Sequence, residues 1–291
     1  MGKYTPLRGS AFRKFARAFW DAPRDGTIYG HLNMNVLKAL RFREDCEKKF
    51  GVKPSMGHIT GKGIARALTR TPQGNAKIIW GKSYSKDTVD VYFQVDVEDG
   101  KDLSGVVVPD TAGKTVVEVA TILRERANKL RAGEDKQYEK TQKGLLAYLP
   151  SFLIGWLLGF LTFLEYNFGI TATWLGAKPE PFGTVMLSNV SSFGVDVAYA
   201  PLVPVSRVPL VALMGEVIDK PWVEDGKLVV RPVMCVSGTF DHRLMDGNKI
   251  GRIINDVRSY IENPYAFEPD LGLEEPEWND GGEVQDAAAA T

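Results

Sequence analysis

Ten residues late in the chain, Gly238-Thr239-Phe240-Asp241-His242-Arg243-Leu244-Met245-Asp246-Gly247, hold the pattern most suited to chemistry. An apolar run precedes them, and a helical period follows from residue 248 to 262. A histidine at such a strand-to-helix junction can stand at the floor of a cleft, and imidazole is the side chain suited to act as a general base near neutral pH. By itself His242 followed at i+4 by Asp246 and then Gly247 is a modest signal, since Asp246 could equally cap the next helix. Arg243 could pair with Asp241, with Asp246 or with a neighbouring subunit. The two other histidines are blander: His31 lies in a strand-like stretch, and His58 follows Gly57 in a loop with no chemical neighbour in sequence. Ser188, with Ser191 and Ser192 close behind it, is a hydroxyl at the end of a short apolar run.

The elements that must position these residues mix irregularly. Residues 27–36 read as a strand and 37–50 as a helix, followed by a short apolar helix over 59–68 that the Thr71-Pro72-Gln73-Gly74 breaker ends. Val89, Val91, Phe93, Val95 and Val97 alternate with polar residues, the period of a half-buried strand. Residues 105–109 predict a further strand and 115–130 a helix. Beyond residue 181 strands return at 184–188, 210–214 and 227–237, the last broken at Pro232. Ile250, Ile253, Ile254, Val257 and Ile261 form the stripe of a closing helix. This order predicts an α+β class rather than a doubly wound parallel sheet.

The 291 residues carry 36 basic and 36 acidic side chains, so no global positive field invites nucleic acid. With three histidines and two distant cysteines, Cys46 and Cys235, neither a zinc site nor a disulfide framework is expected. The neutral total hides an asymmetry. Eight acids and no bases follow Phe267, leaving 28 acids against 36 bases before it. Residues 266–291 are expected to form an acidic, extended tail. Residues 1–22 form a basic arm in which Phe12, Phe15, Ala16 and Phe19 fall on one helical stripe. No secretory signal is expected, because Arg17 interrupts the first apolar cluster.

The oddest stretch lies in the middle, where Glu165 is the only charge between Lys143 and Lys178. Residues 144–164 match the length of a membrane span. One crossing, however, would leave the strands before and after it on opposite sides, and two need about 40 apolar residues. A re-entrant or interface-lying helical hairpin, an oligomer contact and a cover over an acyl tunnel remain open. Trp156, Trp174, Tyr148 and Tyr166 suit a membrane interface, and Lys136, Lys140 and Lys143 suit anionic headgroups.

The run Ser237 to Gly247 resembles the signature of the acyltransferase component of 2-oxo acid dehydrogenase complexes, a family with the chloramphenicol acetyltransferase-like fold. Further stretches resemble the family in the same order: residues 6–16, residues 28–31 with Asn35, the Pro72 to Asn75 turn, residues 91–110, the Gly183 to Gly194 segment with Ser188-Asn189, and residues 220–232. The resemblance implies a mixed sheet with flanking helices, a catalytic domain over residues 23–265, and residues 144–177 as an apolar helical insertion. It implies acyl transfer between coenzyme A and a thiol acceptor such as a lipoyl group carried on another protein, without a metal. His242 matches the general base, Ser188 the oxyanion donor and Asp246 the carboxylate that braces the loop, with Arg243 and Asn189 as substrate-binding residues. It also implies a homotrimer or larger trimer-based assembly whose active sites lie between subunits, with dehydrogenase subunits as partners.

Three departures stand against this pattern. No lipoyl domain fits within the first 22 residues. Pro204 to Pro209 stands where the family has a Pro-Pro segment. The third departure is the insertion, which is expected to lie outside the core. The rival expectation is a catalytically silent trimeric scaffold of a dehydrogenase-type complex. A cytoplasmic location follows from either, with a membrane surface as a further partner.

Overall fold

The computed structural model describes residues 26–97, 102–132, 151–171, 173 and 180–278. The arm over residues 1–22, Lys136, Lys140, Lys143, Tyr148 and Trp174 lie outside the described residues. In chain order the elements are β1 (Thr27–Asn35), α1 (Leu37–Phe50), α2 (Met56–Arg70), β2 (Ala76–Ile79), β3 (Lys82–Ser85), β4 (Val91–Val97), β5 (Asp102–Val108) and α3 (Val116–Arg131). They continue with α4 (Ser151–Phe168), β6 (Val185–Asn189), β7 (Leu210–Glu224), β8 (Lys227–Asp241) and α5 (Gly247–Glu262). Six strands form one mixed sheet in the order β1-β8-β7-β6-β4-β5, and β2 and β3 form a separate hairpin. The expected α+β sheet with flanking helices is what the chain builds.

Alternation along the strands divides the sheet into two faces. Val91, Phe93, Leu187, Ala212, Met214 and Met234 share one core with Phe42, Ile59, Ile64, Val116, Ile253 and Tyr260 of the helices. Val211 and Leu213 point the other way, against Val208, Met186, Ala198 and Leu202. Two glycines let helix α2 approach its neighbours closely, Gly61 the sheet and Gly63 helix α5. A Cβ at Gly61 would stand 2.4 Å from the Phe93 ring, and one at Gly63 would stand 2.9 Å from the Tyr260 ring.

Both long strands run further than the sequence predicts. β8 passes through Pro232 without a break, and β7 continues to Glu224 after a bulge between Met214 and Val217. The last β1 pair joins Asn35 to Val233, and the last β6 pair joins Asn189 to Met214. Pro221 and Pro232 therefore lie where a third strand has ended, and a proline without an N–H is tolerated at such an edge.

Two expectations are corrected here. The acidic stretch from residue 266 does not start as a free tail. Glu268 is buried, accepting hydrogen bonds from the Tyr260 hydroxyl (2.6 Å) and the Val116 amide (3.1 Å), and Lys49 holds the Leu271 and Gly272 carbonyls. Burial raises the Glu268 carboxyl above its usual range. Residues 279–291 lie outside the described residues. The apolar insertion, likewise, is not wholly outside the core. Tyr166 near the end of α4 is 8% exposed, its ring beneath the Lys77 and Arg207 cations. Its hydroxyl donates to the Ser206 carbonyl and accepts from Lys77 Nζ, both at 3.1 Å. The next residue, Asn167, accepts from the Trp80 amide and, through its own carbonyl, from the Trp80 indole.

Candidate active site at the strand ends

β8 delivers His242 to the first position past the sheet, where the His242 amide donates to the Gly26 carbonyl at 2.7 Å. The turn from Asp241 to Asp246 is fixed at both ends. The Asp241 carboxylate accepts from the Arg243 amide and its carbonyl from the amides of Leu244 and Met245, and the carboxylate also forks onto the Arg243 guanidinium at 2.6–3.2 Å. Asp246 is the N-cap of α5, its carboxylate accepting from the Lys249 amide at 3.0 Å and ion-pairing with Lys249 Nζ at 2.5 Å. The hydrogen bonds from Lys249 hold the Asp246 pKa below the usual carboxylate value. Within this rigid turn His242 Nδ1 lies 2.8 Å from the Met245 carbonyl. A carbonyl can only accept, so Nδ1 carries a proton, and in the neutral imidazole the lone pair is on Nε2.

Ser188 is the fourth residue of β6, half-buried, with Asn189 exposed beside it. Its side chain points to the face opposite Leu187. The register places Ser188 beside Leu213 and Leu213 beside Ser237. His242 is five residues and two strands away, about 19 Å at ~3.3 Å per residue and ~4.8 Å per strand. One copy of the chain therefore does not bring Ser188 and His242 together, whereas His242, Arg243 and Asp246 share one turn. Arg243 is committed to Asp241, and Asp246 to the helix cap.

β4 and β6 pair in parallel only from Val91 to Phe93 and Val185 to Leu187. Beyond that β4 runs on, and β6 turns off at Asn189 into the 3₁₀ turn Ser191–Phe193. The divergence leaves a cavity of about 280 Å³ lined by His58, Gln94, Leu123, Arg124, Asn189 and Ser192, together with Val95 and Ala127. His58 is not the loop residue the sequence predicts. It is the third residue of α2 and closes a capping box, with the Ser55 amide donating to His58 Nδ1 at 2.9 Å and Ser55 Oγ accepting from the His58 amide. Burial first, then Arg124 and Arg43, lowers its pKa to about 4. The spacing Ser55-x-x-His58 was the available signal, with His in the usual Glu or Gln place. His31, by contrast, shares a 2.7 Å hydrogen bond with the Tyr199 hydroxyl. Among the described residues no cluster of three His, Cys, Asp or Glu is placed to hold a metal.

Comparison with known proteins adds the following. Residues 181–267, which include Ser188 and His242, match the 2-oxoacid dehydrogenases acyltransferase (catalytic domain) family. A probable dihydrolipoyllysine-residue succinyltransferase component of the mitochondrial 2-oxoglutarate dehydrogenase complex of Schizosaccharomyces pombe is 23% identical over 82% of this chain and 44% of its own length. The lipoamide acyltransferase component of the Pseudomonas putida branched-chain alpha-keto acid dehydrogenase complex is 36% identical over 28% of this chain and 19% of its own. The chain thus spans less than half the length of these curated relatives. The Azotobacter vinelandii dihydrolipoamide acetyltransferase shares the fold at a TM-score of 0.60, with 16% identity, over 93% of this chain and all of that one. In that enzyme a serine, a histidine and an asparagine four residues beyond the histidine were investigated for their catalytic role. The chain is similar to the acyltransferase component of 2-oxo acid dehydrogenase complexes, in sequence over residues 181–267 and in fold over most of its length.

Proposed function

We propose that this chain is a thiol-dependent acyltransferase that moves an acyl group between coenzyme A and a lipoyl-type thiol carried on another protein. The observation that carries the reading is the Nδ1 contact of His242 with the Met245 carbonyl, which leaves Nε2 as a free base at the end of the sheet. Nε2 takes the proton of the incoming thiol, whose ordinary pKa near 8.5 leaves little thiolate at neutral pH. The thiolate sulfur bonds to the acyl carbon, and the carbonyl oxygen becomes an oxyanion that accepts from Ser188 Oγ. Collapse breaks the old carbon–sulfur bond, and the imidazolium returns its proton to the leaving thiolate. Asp246, which stands four residues after His242 as an asparagine does in the Azotobacter relative, positions the turn through its cap on α5. Asn189 and Arg243 flank the substrate, Arg243 from the turn that also holds His242.

Because Ser188 and His242 of one copy lie about 19 Å apart, the site needs His242 from a neighbouring copy, as in a trimer. Val223, Leu228 and Val230, exposed along the β7–β8 hairpin, suit such a contact. Partners are then the lipoyl-bearing protein and the dehydrogenase subunits that load it. The test is transfer from acetyl-, succinyl- and branched acyl-coenzyme A to dihydrolipoamide. Wild type turns over at least one donor, and His242→Ala loses roughly 100- to 10,000-fold while sedimenting as the same oligomer. Near-normal activity in the variant sinks the assignment of the base. An inactive wild type with every donor makes the chain a scaffold.

We infer further that α4 rests against the cytoplasmic surface of a membrane. Among the described residues no helix is long and apolar enough to cross one. Trp156, 70% exposed, stacks on Phe160, and Phe163 and Phe168 meet Trp80, 58% exposed, at the tip of the β2–β3 hairpin. The one charge of the stretch is turned inward: Glu165 accepts from the Glu180 amide at 2.8 Å. The outward face is thus free of charge, as an interfacial helix requires, with Lys82 exposed beside it. Flotation with anionic vesicles is expected for wild type and not for Trp156→Ser/Phe160→Ser. Equal flotation of both, or none by wild type, refutes the placement; loss of oligomer mass in the variant assigns the face to protein contact.

A further inference from the structure

The cavity between the diverging ends of β4 and β6 sets the polar side chains of His58, Gln94, Arg124, Asn189 and Ser192 against an apolar wall of Val95, Leu123 and Ala127. His58 Nδ1 already accepts from the Ser55 amide, so the ring proton resides on Nε2. Asn189 Oδ1 accepts from the Ser191 amide at 2.9 Å, leaving its NH₂ group. Gln94 adds an amide, and Ser192 a hydroxyl. Arg124 brings a guanidinium that is bonded to nothing among the described residues. No carboxylate stands in the lining. The first turn of α2, whose N-cap is Ser55, adds the positive end of a 15-residue helix. Arg124 and Arg43 also help hold His58 neutral, as a positive local field does. At about 280 Å³ the cavity has room for a carboxylate or phosphate with part of its hydration.

We propose that this cavity binds the anionic end of the thioester substrate, either a carboxylate at the tip of the acyl chain or a phosphate of coenzyme A, with Arg124 as its cation. The position suits either source: Ser188 and Asn189 face opposite sides of β6, but the cavity opens at the end of that strand, where a substrate can pass from one face to the other. A guanidinium binds both groups through paired N–H donors, and the neighbouring amides and imidazole N–H complete the shell. The proposal rests on the acyl-transfer reading for the identity of its ligand, but its binding does not require turnover.

Succinate and adenosine 3′,5′-bisphosphate are therefore titrated separately, by calorimetry, into the full-length wild type and into His242→Ala. At least one is expected to bind both proteins alike with a Kd below about 10 mM, and Arg124→Gln to weaken that binding tenfold or more. Arg124→Lys is expected to recover part of it, since the charge remains and only the fork is lost. Succinate binding that depends on Arg124 identifies the acyl carboxylate; bisphosphate binding that depends on Arg124 identifies the coenzyme. Failure of both ligands to bind, or affinities indifferent to Arg124→Gln in a folded variant, overturns the proposal. A wild type that binds but transfers no acyl group overturns the acyltransferase reading instead and leaves the anion site standing.

Discussion

Replacing Tyr166 by Phe asks whether α4 is part of the domain or only attached to it. The substitution keeps the ring, and with it the Lys77 and Arg207 cations that lie 4.5 and 5.0 Å from its centre. What disappears is the hydroxyl, one donor to Ser206 and one acceptor for Lys77. Lys77, 6% exposed, keeps Glu180 at 3.2 Å, but the Ser206 carbonyl in its buried residue loses this donor. Two hydrogen bonds at about 1 kcal/mol each, with a further ~1 kcal/mol for the stranded carbonyl, give a loss of about 2–3 kcal/mol. For a chain of this size that lowers Tm by roughly 4–12 °C. Differential scanning calorimetry reads the shift, and Tyr84→Phe on the exposed β3 hairpin serves as the silent control. Limited proteolysis should cut near α4 sooner in Tyr166→Phe. A Tm equal to wild type and unchanged cleavage would refute the reasoning, and would return the helix to the periphery where the sequence alone puts it.

Asp246→Asn preserves the N-cap acceptor and is expected to keep both helix content and transfer activity, whereas Asp246→Ala lowers both; equal activity of the two variants in the transfer assay would remove Asp246 from the positioning of His242. His58 gives the acid side of the stability curve. Its folded pKa of about 4 lies below the unfolded value of 6.5, so the unfolded chain binds the extra proton. The contribution is complete above pH 6.5 and is lost as pH falls toward 4, by at most roughly 3 kcal/mol. His58→Gln retains the capping box and should flatten that limb in urea titrations at pH 7.5 and 5; an unaltered slope contradicts the assignment.

Much of the architecture was legible because local patterns and tertiary needs agree. The alternation of Val91, Phe93 and Val95 and the isoleucine face of α5 each predict an element that forms within a few residues of the expected ends. Ser55 and His58 show a weaker case, where a cap moves the start of α2 back to Met56. β7 and β8 were underestimated because prolines break strands in general. Only the sheet order reveals that Pro221 and Pro232 sit at outer edges.

By itself the sequence determined the chemistry carried on one turn. His242, Arg243 and Asp246 are close in the chain, so any fold that ends a strand before them and starts a helix after them keeps them together. It likewise determined that residues 144–177 hold a single charge, and that zero net charge overlies an acidic end and a basic remainder. Tertiary structure alone decided the rest, because those relations join residues far apart in sequence. Register across three strands separates Ser188 from His242. Packing turns Glu165 inward, seats Tyr166 among Lys77, Ser206 and Arg207, and draws Glu268 under Tyr260. The parting of β4 from β6 gathers His58, Gln94, Arg124, Asn189 and Ser192 around one cavity. No periodicity or motif encodes such a gathering, since each residue comes from a different element and only closure of the sheet and helices brings them within reach of one ligand.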